Sequence, residues 1–184
     1  MLFNSYEFLF LFLPITLLIF FYFGSRGFIK LKQFFLIASS LFFYGWWEPI
    51  YLPILVLSIL INFYIGKNLL ILDKQFSRKF FLITGLLFNM MLLGYFKYTN
   101  FFIANYNFIF GTNFNLLKIS LPLAISFFTF QQITYLIDCY QMKTKEYNLL
   151  NYSVFVSFFP QLIAGPIVHH KEMMPQFSNS NHKI

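Results

Sequence analysis

Charge is what this sequence has least of. Lys, Arg, Asp and Glu make up 10% of its 184 residues, where a soluble domain carries about a quarter. So few ionic side chains cannot coat a water-facing surface, which makes lipid the main solvent of the chain. Cysteine is nearly absent: the single Cys139 excludes an internal disulfide framework and a thiolate metal cluster. Acidic residues number 6 against 13 basic ones, for a net charge of +7. The basic residues lie in short gaps between apolar runs, the distribution that orients a membrane protein. The charge therefore argues for membrane lipid as the partner and against nucleic acid. The start, "MLFNSYEFLF", also lacks the basic n-region of a cleavable signal peptide. It carries Glu7 and leads into a run too long for an h-region, which predicts a retained helix.

What the chain has instead is apolar bulk, with 59% hydrophobic residues, 24% aromatics and a mean hydropathy of +0.67. Apolar windows run from Met1 to Phe23, Phe34 to Trp47, Ile50 to Ile65, Phe80 to Phe96 and Ile119 to Ile137. They are continuous and not alternating, which favours helices over barrel strands. A span needs roughly 20 helical residues, so polar aromatics at the flanks complete the shorter windows. The expectation is an all-α, polytopic integral membrane protein with about five transmembrane helices. Pro53 and Pro122 read as first-turn prolines of helices three and five, and Lys97 as the outer end of helix four.

Lys and Arg in the gaps set the orientation. Arg26, Lys30 and Lys32 follow the first helix, Lys67, Lys74, Arg78 and Lys79 the third, and Lys143 and Lys145 the fifth. The other gaps hold Glu48 in one case, and Lys97 with Lys118 in the other. The positive-inside rule puts the amino terminus outside. Tyr44, Trp46, Trp47 and Tyr51 then read as an aromatic anchor at the outer headgroup level. The stretch "FFIANYNFIFGTNFNLLK", Phe101 to Lys118, is too polar for a span and too apolar for a free loop, which predicts an interfacial helix.

The fifth window is the most polar. Gln131, Thr134 or Tyr135, and Asp138 recur at helical spacing and share one face, while Ser126, Thr129 and Gln132 form a second stripe about 100° away. Amides and a carboxylate near a bilayer turn toward a bundle interior or a wet cavity. They can bond helix to helix or line a substrate path. From Tyr152 to Val168 the chain is apolar but interrupted by Pro160, Gly165 and Pro166, which predicts a broken or re-entrant segment entering from the cytoplasm. His169 and His170 follow, with Lys171 and Glu172 next to them. Neighbouring side chains point different ways, so two adjacent imidazoles make a poor metal pair or relay, and no nucleophile completes a catalytic constellation.

Several stretches together resemble the membrane-bound O-acyltransferase family, in its bacterial alginate and peptidoglycan O-acetyltransferase branch. They are "MLFNSYEFLFLFLP", "SLFFYGWWEPIYLPILVLSILINFYIG", "GYFKYTNFF", "LPLAISFFTFQQITYLIDCYQ" and "FPQLIAGPIVHHKEMMPQF". The resemblance covers residues 1–177 as a partial transmembrane domain and leaves 178–184, "SNSNHKI", as an expected disordered tail. It implies helices around a tunnel in the bacterial inner membrane. Through it an acyl group, from acetyl-coenzyme A or another acyl thioester used as substrate, would reach an extracytoplasmic polysaccharide; no bound cofactor is implied. The family's histidine base lies beyond the Gly-Pro segment, so neither His169 nor His170 inherits that role. The expected partners are a carboxyl-terminal half that holds this histidine and an extracytoplasmic acetyltransferase. Gln131, Asp138, Pro160, Gly165, Pro166 and His169 are the residues expected to shape the tunnel or the donor mouth. A non-catalytic membrane scaffold and a small transporter are the competing readings.

Overall fold

The computed structural model describes residues 3–47, 49–144 and 148–165. These form an all-α membrane protein, and the described residues contain no strand. A π-helical turn, Phe8–Phe12, leads into α1 (Leu13–Ser25), with Pro14 in the first turn where its missing N–H costs little. The helix closes in a left-handed Gly27, φ 74°. Phe28 N donates to Phe23 O and Gly27 N to Gly24 O, which satisfies the last carbonyls. That tight turn folds α2 (Ile29–Trp47) back against α1.

A 3-10 turn, Pro49–Tyr51, opens α3 (Leu52–Ile71), with Pro53 in its first turn as expected. Then come α4 (Gln75–Phe110), α5 (Ile125–Tyr140), α6 (Leu149–Ser157) and α7 (Phe159–Ala164). Central in this arrangement, α5 packs on α3, α4, α6 and α7, while α2 holds α1 on one side and α6 on the other. Among the described residues, three helical stretches are long and apolar enough to cross a membrane: Phe8–Ser25, Pro49–Ile71 and Gln75–Phe110. The other two expected spans are less regular. Lys30, Lys32 and Gln33 stand in the first turns of α2, and α5 has 16 residues.

The region 101–118 departs from expectation. It is not a separate interfacial helix: α4 continues unbroken to Phe110 and stops at Gly111, φ 64°, after which the chain runs back without helix to Leu123. No Gly or Pro lies between Phe96 and Phe110, so nothing interrupts a helix already propagating. At about 1.5 Å per residue its 36 residues reach ~54 Å, well beyond a ~30 Å hydrocarbon core. Asparagines on α4 then hold the returning chain. Asn100 exchanges two bonds with Leu117 (2.8 and 2.9 Å), and Asn107 does the same with Phe114 (2.8 and 3.0 Å). Lys97 accordingly sits within the helix and not at its end.

Two smaller expectations also change. Pro122 precedes α5, accepting a bond from Ile125 N at 3.2 Å, because Ala124 adopts a left-handed turn, φ 57°. Tyr44 is buried in the core, while Trp46, two residues on and on the opposite side of the helix, is exposed. Tyr51 Oη donates to Ser120 O at 2.8 Å and so ties the two loops at that end.

Candidate functional site

Thr129, Gln131, Gln132, Tyr135 and Asp138 of the two polar stripes of α5 are buried, while Ser126 and Thr134 are half-buried, and the two stripes serve different neighbours. Gln132 faces α3 and α4. Its Oε1 accepts from Ser58 Oγ at 3.0 Å and from Asn62 Nδ2. Asn62 and Asn89 then form a reciprocal amide pair, with Asn89 Nδ2 donating to Asn62 Oδ1 at 2.6 Å and Asn62 Nδ2 to Asn89 Oδ1 at 3.3 Å. Ser58, Asn62, Asn89 and Gln132 are all 0% exposed. In a hydrocarbon setting such groups must find each other, so the layer fixes the register of α3, α4 and α5. Its members are amides and a hydroxyl, neutral at physiological pH, so the layer can position but supplies no ionising acid or base.

Gln131 faces the other way, toward the broken segment. The backbone there is short of donors, because Pro160 has no N–H and Phe158 leaves the helix with ψ 106°. In an unbroken helix Phe159 N would donate to Phe155 O; here it donates to Ser40 Oγ of α2 at 3.3 Å. Gln131 Nε2 takes its place on Phe155 O at 2.9 Å. Side chains from α5 and α2 therefore stitch the break on both sides. Phe159 also wedges among the rings of Phe12 and Phe43, with centroids 5.3 and 5.2 Å away.

Backbone close approach sets the remaining walls. Gly66 lets the ring of Tyr135 rest on α3: a Cβ there would lie 2.4 Å from Tyr135 Cε1. Tyr135 in turn packs on Tyr152 of α6, with centroids 4.3 Å apart and both rings fully buried. At the far end of α5, Arg78 of α4 donates from Nε to Leu69 O at 3.1 Å and from Nη2 to Tyr140 O at 2.5 Å. Its guanidinium lies over the Tyr140 ring, 5.3 Å from the centroid.

The expected site residues fall in three places. Gln131 is buried at the middle of α5, on the break. Asp138, also buried, sits in the last turn of α5, at the end where Arg78 binds. Pro160 is exposed and Gly165 half-buried at the opposite end, where α7 meets the start of α5 around a hollow of about 230 Å³ lined by Leu121 to Phe127 and Leu162. The structure thus joins Gln131 to the break but separates Asp138 from Pro160 and Gly165. Pro166, His169 and His170 lie outside the described residues. Sequence reasoning missed Ser40, Ser58, Asn62 and Asn89 and gave Arg78 only the part of an orienting charge; a lone amide within "LLFNMM" or "LINFY" is the available signal for the two asparagines.

Comparison with known proteins gives this sequence relatives. The family model described as MBOAT, membrane-bound O-acyltransferase family, matches residues 140–184. Along its whole length the chain is 43% identical to the peptidoglycan O-acetyltransferase of Helicobacter pylori, of which it covers 40%. It is 36% identical to the probable alginate O-acetylase AlgI of Pseudomonas aeruginosa and 37% identical to the protein of that name from Pseudomonas putida, again along its whole length. Of those two it covers 36% and 38%. The chain therefore spans well under half the length of these relatives. No solved structure matches it.

Proposed function

This chain belongs to the membrane-bound O-acyltransferase family, and from that premise we propose that it forms part of the core of a bacterial inner-membrane O-acetyltransferase. The acceptor is a hydroxyl of an extracytoplasmic polysaccharide, peptidoglycan or alginate, and the donor is an acetyl thioester such as acetyl-coenzyme A. In the reaction a base takes the hydroxyl proton, the oxygen attacks the thioester carbonyl, the C–S bond breaks and the thiol leaves. The family resemblance makes a histidine the expected base. The described residues of this chain hold no histidine, and their role is to build the walls.

The observation that carries the reading is the match of the entire chain to relatives whose names state O-acetyl transfer. With the basic gaps on the cytoplasmic side and the amino terminus outside, the Asp138 and Arg78 end of α5 faces the donor. The α7 segment from Pro160 to Gly165 then faces the acceptor side, and α5, α6 and α7 flank the path between them. An extracytoplasmic acetyltransferase partner would receive or complete the transfer there.

A strain deleted for its own peptidoglycan O-acetyltransferase provides the test. It receives this chain alone, or together with the part of the Helicobacter pylori relative beyond the shared region, and alkali-labile acetate on its peptidoglycan is measured. Acetate in either arm supports the reading. Absence in both, with the chain present in the membrane fraction, favours the scaffold reading, for which the interhelical use of Gln131, Gln132, Asn62 and Asn89 already speaks.

A further inference from the structure

A groove of about 430 Å³ runs between the π-helical turn with α1 on one side and α2 on the other, away from the polar layer of α5. Its origin is one small residue. Ala38 stands between Phe35 and Phe42 at helical spacing, so the aromatic face of α2 has a gap there, opposite Leu11 and Ile15. The floor, Phe12, Thr16 and Ser39, is buried, and the rim, Leu11, Ile15 and Phe42, is exposed. Ser39 Oγ already donates to Phe35 O at 2.9 Å, which leaves the floor without a demand for water at that residue. The volume lies in the range of ligand pockets, about 300–1,000 Å³.

The depth matches one leaflet. Along the first helix the lining runs from Glu7 to Thr16, and along α2 from Trp46 back to Phe35. At about 1.5 Å per residue these are ~14 and ~16 Å, close to half of a ~30 Å hydrocarbon core. Glu7 and Trp46 mark the mouth, one a solvent-exposed carboxylate and the other an amphipathic ring of the type that seeks the headgroup level. We propose that this groove holds one acyl chain of an amine-headed phospholipid of the phosphatidylethanolamine type, with the ammonium placed beside Glu7. An anionic headgroup would meet like charge there, and a quaternary amine has no N–H to donate to the carboxylate.

The test uses the full chain in lipid nanodiscs with a Trp47→Phe background, which leaves Trp46 as the reporter among the 2 tryptophans. Its fluorescence is quenched by phospholipids with brominated acyl chains at increasing mole fraction. A saturating component should appear with brominated phosphatidylethanolamine, about two- to fivefold stronger than with the phosphatidylcholine analogue, the range an exposed ion pair carries. Glu7→Gln should remove the headgroup preference and keep the saturation. Ala38→Phe, which fills the gap from the lipid-exposed side, should abolish both while helicity is kept. Quenching that is linear in mole fraction and equal for all headgroups would mean ordinary annular lipid and overturn the proposal. No quenching of Trp46 at all would mean that protein covers the groove, with the same consequence.

Discussion

Gln131 Nε2 lies 2.9 Å from the carbonyl oxygen of Phe155, and that contact stands in for the helical bond that the break at Phe158 removes. A carbonyl in a low-dielectric interior needs a donor, and the amide of α5 delivers one from a neighbouring helix. The break is therefore part of the packing of α5 and not a local failure of α6.

Replacing Gln131 by Leu should loosen α6 and α7 before it unfolds the bundle. The cost is expected at about 1–3 kcal/mol, since a buried carbonyl loses its donor. Hydrogen exchange should rise at Phe158, Gln161 and Leu162, whose amides donate to Val154 and Phe158. Equal protection in the variant and the parent would show that the stitch carries no weight.

The Asn62 and Asn89 pair predicts coupling. Each single change to Leu strands the partner amide, so each should destabilise more than half of what the double change does. The coupling energy in a double-mutant cycle is expected at about 0.6–1.7 kcal/mol, the span measured for side-chain bonds within membranes. Denaturation in mixed micelles measures it, and strict additivity of the two changes would refute the pairing.

Gly66 and Gly94 should respond to alanine with opposite signs. At Gly66 the new Cβ would meet the Tyr135 ring at 2.4 Å, and the ring is locked between α3 and Tyr152, so a loss of about 1–3 kcal/mol is expected. At Gly94 none of the described residues lies within 4 Å, and helix propensity alone should stabilise by about 0.5–1 kcal/mol. Thermal melts of the two variants in the same detergent decide it. A stabilised Gly66→Ala would contradict the close packing of α3 on α5.

The polar faces of α5 were legible in sequence because 3.6-residue spacing assigns Gln131, Tyr135 and Asp138 to one side and Thr129 and Gln132 to another. Their partners were not. Which side of one apolar window meets which side of the next is decided by packing, and Asn62 and Asn89 carry no local mark of it beyond their polarity. The course of residues 101–118 departs from the sequence expectation for a related reason. Asparagines at a helix surface resemble interface polarity in sequence, whereas Asn100 and Asn107 direct their amides to the backbone of Leu117 and Phe114. The interruption by Pro160 was plain in the sequence; that Gln131 and Ser40 would repair it was not, since they lie 24 and 119 residues from the groups they bond.

Arg78 offers the sharpest separation of charge from geometry. Its fork joins the carbonyl ends of α3 and α5 through Leu69 O and Tyr140 O, where helix carbonyls have no intrahelical donor. Lysine keeps the positive charge but cannot reproduce two divergent N–H groups on a flat plane over Tyr140. Arg78→Lys should therefore leave membrane orientation unchanged and fray both helix ends. Exchange should quicken at Leu72 and Gln141, whose amides close the last turns on Asn68 O and Ile137 O. The stability loss is expected at about 1 kcal/mol, in keeping with a half-exposed charge-assisted pair. Arg26→Lys is the control, because its guanidinium meets the Tyr22 ring at 5.5 Å. If Arg78→Lys exchanges no faster than that control at both positions, the two helix ends are held by packing and the guanidinium is only a topological charge.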